Sequence, residues 1–226
     1  MKPRSHTVPE VVKILRAHAN PTNVAGMARF GINPKNTLGI SMPTLRALAK
    51  EIGQNHILAS QLWATKIHEA RILAGLIDDP KLVTLAQMDR WARDFDSWDM
   101  CDQVCCFLFD KTPFAYDQAA KWSRAKSEFV KRAGFALMAG LAWHDKSATD
   151  RQFRPFLKCI ERQAGDPRNF VKKAVNWALR NIGKRNSTLG REAMIVARRL
   201  KQSKKPAARW VGSDAIREFE EKGIGQ

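Results

Sequence analysis

The sequence lacks an apolar run that is long enough to span a membrane as a helix. Such a span needs about 18 or more consecutive apolar residues, and the longest good candidate, residues 133–143, lies between Arg132 and His144. The N-terminus also lacks the apolar stretch and the small-residue cleavage site of a secretory signal. We therefore expect no membrane association and a cytoplasmic location, close to the nucleoid if the source is bacterial.

Cysteine is scarce, with 4 residues at positions 101, 105, 106 and 159. A cluster in one segment and a single distant residue do not form the pattern of a disulfide framework. Cys101 and Cys105 lie one helical turn apart, but a tetrahedral metal site needs further ligands, and His68 and His144 lack ligand-like spacing. We expect reduced, buried cysteines, no metal site and no organic cofactor.

Signals for β-structure are also missing. The sequence has no Asn-Gly or Asp-Gly dipeptide and no long alternation of β-branched residues, and its apolar residues recur at helical spacings. Helix starts are predicted where a capping residue precedes proline, at Asn20-Pro21, Asp79-Pro80, Thr112-Pro113 and Asp166-Pro167. The predicted helices cover residues 9–19, 21–31, 43–53, 57–65, 67–78, 80–94, 98–110, 113–125, 128–143, 148–163, 167–183, 187–202 and 213–222.

Acidic residues are too few to balance the basic ones. The 226 residues include 39 Lys and Arg against 22 Asp and Glu, which gives a formal net charge of +17. A surplus of this size repels itself and is typical of a protein whose partner is a polyanion, above all nucleic acid. The basic residues are spread from Arg16 to Lys205, which predicts a basic face on a folded domain instead of a disordered basic arm.

An internal repeat aligns residues 128–133, Glu-Phe-Val-Lys-Arg-Ala, with residues 169–174, Asn-Phe-Val-Lys-Lys-Ala, and residues 68–74 are a looser echo. A period of about 40 residues holding two helices is typical of HEAT-type repeats. We therefore predict an all-α fold, a HEAT-like α-solenoid of stacked antiparallel helix pairs with a concave basic cleft that suits a DNA duplex. No Gly/Ser-rich linker divides the chain, so we expect one domain over residues 1–226, with residues 201–226 forming either a C-terminal cap or a mobile basic tail.

The segment Trp91–Cys105 holds the first candidate site. If Ser97 caps a helix, Asp99 lies in its first turn, and Trp98 and Asp102, four residues apart, share one face. An aromatic ring beside a carboxylate is unlike an ordinary apolar contact. The two groups can face a cation together, the ring through its quadrupole and the carboxylate through its charge.

A second candidate site lies on the helix that carries the repeat match. Four residues follow the i, i+4, i+7, i+11 rule and so share one helix face: Lys173, Trp177, Arg180 and Lys184. We favour nucleic-acid contact for this face. In the alternative, Trp177 belongs partly to the core and the cations extend around it.

Short motifs along the chain resemble the AlkD-like DNA alkylation repair family, which consists of HEAT-like-repeat DNA glycosylases. The motifs span most of the chain and follow the family's order: Met27–Phe30, Leu38–Arg46, Ser97–Asp102, Phe129–Ala133 and Phe170–Arg180. The resemblance implies a monofunctional glycosylase that hydrolyses the N-glycosidic bond of cationic N3- or N7-alkylated purines in double-stranded DNA, without metal or cofactor and as a monomer.

The resemblance also implies roles for individual residues. Trp98 and Trp177 would be aromatic walls beside the damaged nucleotide, Asp102 the catalytic carboxylate, and Arg132 a phosphate contact. Phe30 stands where the family can have tyrosine, so a hydrogen bond from that hydroxyl is missing here. The candidates for DNA contact are Phe30, Lys131, Arg132, Lys172, Lys173, Arg180 and Lys184.

The predicted chemistry fits these residue types. An alkylated purine is positively charged and leaves as a neutral base, so little general-acid help is needed while positive charge develops on the sugar. Asp102 would stabilise this oxocarbenium-like charge and orient the attacking water, and the indole faces of Trp98 and Trp177 would add to the stabilisation. The resemblance suggests contact through the sugar and phosphate backbone instead of base extrusion into a pocket, which is the usual route.

Other functions remain open at this point. A non-catalytic DNA-binding HEAT protein that recognises bent or branched duplexes would share the basic face but would not need Asp102 beside two tryptophans. A protein-interaction scaffold predicts a face of mixed charge, which the net charge of +17 disfavours. RNA binding has no particular support, since the chain has a single tyrosine and no aromatic sheet motif.

Overall fold

A computed structural model of the protein describes residues 6–225. These residues form α-helices joined by short connections and one short 3-10 helix, with no β-strand in the described range. The predicted all-α fold is therefore confirmed. The helices gather into two compact units, an N-terminal unit that ends at Thr112 and a C-terminal unit that begins at Pro113. The prediction of a single domain over residues 1–226 stays a prediction, and its ends lie outside the described residues.

The N-terminal unit is built around one buried helix. Its elements are α1 Val8–Ala17, α2 Pro21–Arg29, α3 Met42–Ile52, α4 His56–Ala64, α5 His68–Ile77, α6 Leu85–Arg93, α7 Trp98–Phe107 and the 3-10 helix Phe109–Lys111. Helix α5 is buried along nearly its whole length and packs against α3, α4 and α7. The indoles of Trp63 and Trp91 stack in parallel in this core, with ring centroids 3.9 Å apart. Because α5 is buried on nearly all sides, its position is fixed. The α5 side chains that face α7 are therefore fixed as well.

The C-terminal unit contains the repeated helices. Its elements are α8 Ala115–Trp122, α9 Glu128–His144, α10 Asp150–Gln163, α11 Asn169–Gly183, α12 Ser187–Lys201 and α13 Pro206–Glu221. Helix α9 packs against α8 and α11, and α13 packs against α11 and α12. At Gly134 of α9 an added Cβ would lie 2.4 Å from the backbone nitrogen of Ser123, so only glycine allows this close approach to the end of α8.

The internal repeat is confirmed as a structural repeat in this unit. Helices α9 and α11 begin at Glu128 and Asn169, the two residues that the sequence repeat aligns. The repeated phenylalanines, Phe129 and Phe170, meet with ring centroids 5.6 Å apart. Because each helix buries its apolar face only against its neighbours, adjacent repeats stabilise each other.

Of the four proline positions predicted to begin helices, only Pro21 is the first residue of one. Pro21 does begin α2, capped by the Asn20 side chain, which accepts from the Asn23 nitrogen. Helix α6, in contrast, begins at Leu85 and not at Pro80, because Asp79 accepts a hydrogen bond from the Lys81 nitrogen and forms a turn of its own. The predicted starts at Pro113 and Pro167 are likewise two residues early, since α8 and α11 begin at Ala115 and Asn169.

The C-terminal helix is longer than predicted. It begins at Pro206 instead of residue 213 and carries a buried apolar face that includes Ala207, Val211 and Phe219. None of the helices in the described range is both long enough and apolar enough to cross a membrane.

Candidate functional site

Trp98 and Asp102 lie on helix α7, as predicted, and are one turn apart. Ser97 precedes the helix but does not cap it with its side chain; its hydroxyl donates instead to Asp99 Oδ1 at 2.8 Å. Asp102 is half-buried. The spacing therefore places an indole and a carboxylate on the same side of α7.

The indole of Trp98 is tied to the end of α2. Its Nε1 donates to the backbone oxygen of Phe30 at 3.0 Å. Phe30 follows the last residue of α2, and its side chain is 73% exposed. The sequence predicted Phe30 as a DNA contact and Trp98 as an aromatic wall beside the damaged nucleotide, and the structure brings them together in the N-terminal unit. The link uses a backbone carbonyl, so it does not depend on the residue type at position 30.

A cavity of about 600 Å³ in the N-terminal unit lies beside these residues. Its apolar wall includes Met27, Phe30, Ile72 and Trp98, and its polar wall includes His68, Glu69, Asp99 and Gln103. Asp102 is not among the residues that line it. The cavity therefore lies to one side of the predicted catalytic carboxylate.

A buried ion pair forms the polar wall of this cavity. His68 Nε2 lies 2.9 Å from Asp99 Oδ2. Burial alone lowers the pKa of His68, but the hydrogen bond and charge of Asp99 outweigh burial, so the His68 pKa lies above its ordinary value. Burial raises the pKa of Asp99, and the bonds from His68 and Ser97 outweigh it, so the Asp99 pKa lies below its ordinary value. The pair joins α5 to the first turn of α7.

Glu69 shapes the chain that leads into α3. Its side chain is buried, and its carboxylate accepts from the backbone nitrogens of Leu38, Gly39 and Ile40, with the shortest bond, to Gly39, at 2.6 Å. A carboxylate that accepts several backbone N–H groups replaces the water it loses on burial. Sequence analysis missed both Glu69 and the His68–Asp99 pair, because their partners are distant in the sequence.

All four cysteines are free. Cys101, Cys105 and Cys106 are buried in the N-terminal unit, as predicted, whereas Cys159 is only half-buried. Burial, followed by the hydrogen bond between its thiol and that of Cys101, raises the pKa of Cys105 well above its ordinary value. These thiols are therefore part of the core. The described residues contain no group of three or more His, Cys, Asp or Glu side chains that could hold a metal ion.

Lys131 and Arg132 do not form an exposed basic surface, contrary to the prediction. Both are buried in the C-terminal unit, at 8% and 5% exposure. Lys131 Nζ donates to Asp166 Oδ2 at 2.9 Å, and Arg132 Nη1 donates to the Phe170 oxygen at 2.6 Å. Their positions in α9 point them toward the next repeat, and a buried cation needs such partners. Their polar groups join α9 to the start of α11 and the chain before it.

The predicted face of α11 carries both exposed and paired cations. Lys173 is exposed and Trp177 is half-buried. Arg180 and Lys184 both contact the Glu218 carboxylate of α13, Lys184 through a bond of 2.9 Å. Burial alone raises the pKa of Glu218, but Lys184, Lys222 and Arg180 outweigh burial and lower the pKa to about 2. The Glu218 carboxylate is therefore negatively charged at neutral pH. Two of the residues predicted to contact DNA, Arg180 and Lys184, are therefore paired with Glu218.

Lys172 has an aromatic partner. Its Nζ lies 4.6 Å from the ring centroid of Trp210, a geometry that favours cation–π attraction. Lys172 is half-buried and Trp210 is 38% exposed, so the pair lies at the surface of the C-terminal unit.

The two units thus carry different parts of the predicted site. Phe30, Trp98 and Asp102 belong to the N-terminal unit, while Trp177 and the predicted cations belong to the C-terminal unit. Each unit is a stack of helices that offers tryptophan together with charged side chains. This combination defines a helical-repeat protein with aromatic and charged groups suited to nucleotide contact.

Comparisons with known proteins agree with this class. A family model described as DNA alkylation repair enzyme matches residues 11–219. The chain therefore belongs to the DNA alkylation repair enzyme family. A search of curated proteins gives no significant match.

Solved structures share the fold, and one of them shows what the likeness covers. It is described as a new family of proteins related to the HEAT-like repeat DNA glycosylases with affinity for branched DNA structures. The two chains are 22% identical, with a TM-score of 0.81 over 97% of each chain. The HEAT-like repeat fold is thereby confirmed.

Proposed function

We propose that this protein is a DNA glycosylase that removes cationic N3- or N7-alkylated purines from duplex DNA. The observation that carries the proposal is the placement of Trp98 and Asp102 one turn apart on α7, with the indole fixed by the Phe30 carbonyl at 3.0 Å. A fixed aromatic ring beside a carboxylate is suited to stabilising a positive charge. Membership in a family of DNA alkylation repair enzymes supports this assignment.

The reaction breaks the bond between sugar C1′ and the purine nitrogen. The bonding electrons leave with the base, which changes from a cation to a neutral molecule, and positive charge moves to the sugar. Asp102 stabilises that charge and orients a water molecule, whose oxygen bonds to C1′ as its proton is lost. The products are the free base and an abasic site. Trp98 adds the attraction of its ring to the cationic sugar.

Contact with DNA uses the charge of the chain. The net charge of +17 favours a polyanionic partner, and Lys173 is exposed on α11 for phosphate contact. Lys172, Arg180 and Lys184 lie on the same helix or at its end and add to the positive potential. We assign Trp177 and Phe30 to contact with the DNA from their respective units. A repair enzyme of this kind acts as a monomer in the compartment that holds the DNA, the cytoplasm in bacteria.

The direct test measures release of free base from a duplex that carries N7-methylguanine or N3-methyladenine. We expect release by the wild type and none by Asp102→Asn, which keeps the shape of the side chain but removes its charge. Glu51→Gln is the matched control, since Glu51 is an exposed carboxylate on α3 of the same unit. Equal release by wild type and Asp102→Asn would contradict the role of Asp102.

A second function has its own support. The solved structure of the same fold is described by its affinity for branched DNA, so a non-catalytic protein that recognises bent or branched duplexes is the alternative. It predicts tight, salt-sensitive binding of a four-way junction with no base release by the wild type. Measuring base release and junction binding on the same preparation distinguishes the two functions.

A further inference from the structure

A second cavity, of about 580 Å³, lies within the C-terminal unit. We call it the C-terminal cavity. It lies at the ends of α9 and α11, and its walls include Trp143, Lys146, Trp177, Asn181, Lys184 and Arg185. Two indoles, two amides and three cations line one concavity, a combination that ordinary surface packing does not require.

Trp143 is unusual for a large aromatic residue. It is the last residue of the apolar run of α9, yet it is 58% exposed. Its ring stacks on the neighbouring His144, with centroids 4.7 Å apart and planes inclined by 26°. Since burial of an aromatic ring is favourable, an exposed, oriented ring at the wall of a cavity indicates a surface for stacking by a ligand.

The cations at the cavity differ in what they can offer a ligand. Arg185 is committed to the protein: Nη1 donates to Ala142 and Asp145 oxygens and Nη2 to the Ala148 oxygen, at 2.8–2.9 Å. Arg185 therefore fixes the loop after α9 and the walls with it. Lys146 is exposed, and no carboxylate of the described chain pairs with it. Its ammonium group is available for an anion.

The amide of Asn181 adds a polar group of a different kind. Its Nδ2 donates to the Ala139 oxygen in a long bond of 3.5 Å. This contact uses the amide nitrogen, so the side-chain oxygen of this cavity-lining residue can accept a hydrogen bond from a ligand. Planar stacking surfaces, an amide and an ammonium group correspond to the base and the phosphate of one nucleotide.

We propose that the C-terminal cavity binds a single unpaired nucleotide of DNA. The base stacks on Trp143 and Trp177, its edge bonds to Asn181, and its phosphate contacts Lys146, since Lys184 is paired with Glu218. A paired base inside a duplex has no free face for this stacking, so the site recognises bulges, flaps and branch points. The proposal rests on the proposed function only in that the chain binds DNA; it does not require base excision.

The test uses the full chain and three DNAs: an intact duplex, the same duplex with one bulged nucleotide, and the same duplex with a short single-stranded flap. The variants are Trp143→Ala and, as the matched control, Trp210→Ala. Trp210 is an exposed tryptophan of the same unit, 38% exposed, that does not line the cavity. Placing 2-aminopurine at the unpaired position adds a direct signal, because its fluorescence falls when it stacks on an indole.

We expect the wild type to bind the bulged and flapped DNAs more tightly than the intact duplex and to quench 2-aminopurine. Trp143→Ala should lose about tenfold in affinity for the unpaired nucleotide, the contribution of one stacked base, and should lose the quenching. Its affinity for intact duplex should stay at the wild-type value. Trp210→Ala should keep the wild-type preference for unpaired over intact DNA and the wild-type quenching, whatever the loss of the Lys172 contact does to its overall affinity.

Other outcomes overturn different claims. Equal binding of intact and bulged DNA by the wild type, or an unchanged preference in Trp143→Ala, would overturn the C-terminal cavity as a nucleotide site and leave the proposed function standing. Binding of the unpaired nucleotide without base release from alkylated DNA would support the cavity and overturn the glycosylase. A wild type that binds none of the DNAs would overturn both.

Discussion

Trp98 Nε1 donates to the carbonyl oxygen of Phe30 at 3.0 Å, so the end of α2 fixes the ring that precedes Asp102 by one turn. The orientation of the indole thus depends on a backbone atom from a region far away in the sequence. Any role of Trp98 in stabilising charge depends on this orientation, because cation–π attraction acts over the face of the ring.

Trp98→Phe tests the importance of that hydrogen bond. Phenylalanine keeps an aromatic face but has no N–H to donate. We expect base release to fall by about tenfold or more, while the free energy of unfolding falls by only about 1 kcal/mol for one neutral hydrogen bond. Single-turnover base release and urea unfolding measure the two effects, with Trp210→Phe as the control. Wild-type release by Trp98→Phe would show that ring orientation is not set by this bond.

The His68–Asp99 pair predicts how stability depends on pH. The His68 pKa is raised, so its contribution is complete below its unfolded value of 6.5 and is lost as pH rises through the folded pKa. The Asp99 pKa is lowered, so its contribution is present above 3.8 and is lost as pH falls through the folded pKa. The pair therefore stabilises the protein most between these limits.

Asp99→Asn should consequently destabilise the protein more in mildly acidic than in alkaline solution. We expect a loss of about 2 kcal/mol near pH 5.5, the value of a hydrogen bond between charged groups, and a smaller loss near about pH 8.5. Urea unfolding at both pH values measures the difference. Glu51→Gln should show no such dependence, and an equal loss for Asp99→Asn at both pH values would contradict the ion pair.

Glu218 restrains two cations that DNA could use. Arg180 and Lys184 both contact its carboxylate. Glu218→Gln removes a negative charge and releases these side chains, so we expect tighter duplex binding at low salt. The slope of log affinity against log salt should steepen by about 0.9 for each additional phosphate that the variant neutralises. Fluorescence anisotropy over a salt series measures this, and weaker binding with an unchanged slope would contradict the expectation.

Substitutions of Arg132 and Lys173 distinguish a cation that stabilises the fold from one that contacts DNA. Arg132→Ala removes the buried guanidinium and its hydrogen bond to the Phe170 carbonyl, and should lower the free energy of unfolding by about 2 kcal/mol. Lys173→Ala changes an exposed residue and should alter stability by less than about 0.5 kcal/mol. It should instead weaken duplex binding and flatten the salt dependence. Weaker DNA binding with unchanged stability in Arg132→Ala would contradict the structural role and indicate that Arg132 contacts DNA.

Much of the fold could be predicted from sequence because its signals are local. Apolar spacing and the repeat at Phe129 and Phe170 depend on neighbouring residues and on a regular period, and the structure confirms both. The prediction that a capping residue before proline begins a helix fails at Pro80. Proline is tolerated at a helix start but does not create one, and the Asp79 side chain accepts from the Lys81 nitrogen in a turn instead. The sequence prediction also missed Pro206, although it begins α13.

The site was less predictable because its contacts join distant segments. Lys131 and Arg132 were predicted as DNA contacts from charge and from the family resemblance, and sequence does not show that Asp166 and the Phe170 carbonyl lie against them. The pairing of His68 with Asp99 was equally invisible, since it requires α5 and α7 to be adjacent. The predicted roles of Trp98, Asp102 and Trp177 stay predictions that chemistry has to test.

The most direct measurement is the rate at which the wild type releases N7-methylguanine from a duplex, compared with spontaneous loss from the same duplex and with Asp102→Asn. Duplex binding by both proteins is followed in parallel. We predict release above the spontaneous rate by the wild type alone, with equal binding by the two proteins. Release no faster than the spontaneous rate from a duplex that the wild type binds tightly would contradict the assignment of a glycosylase.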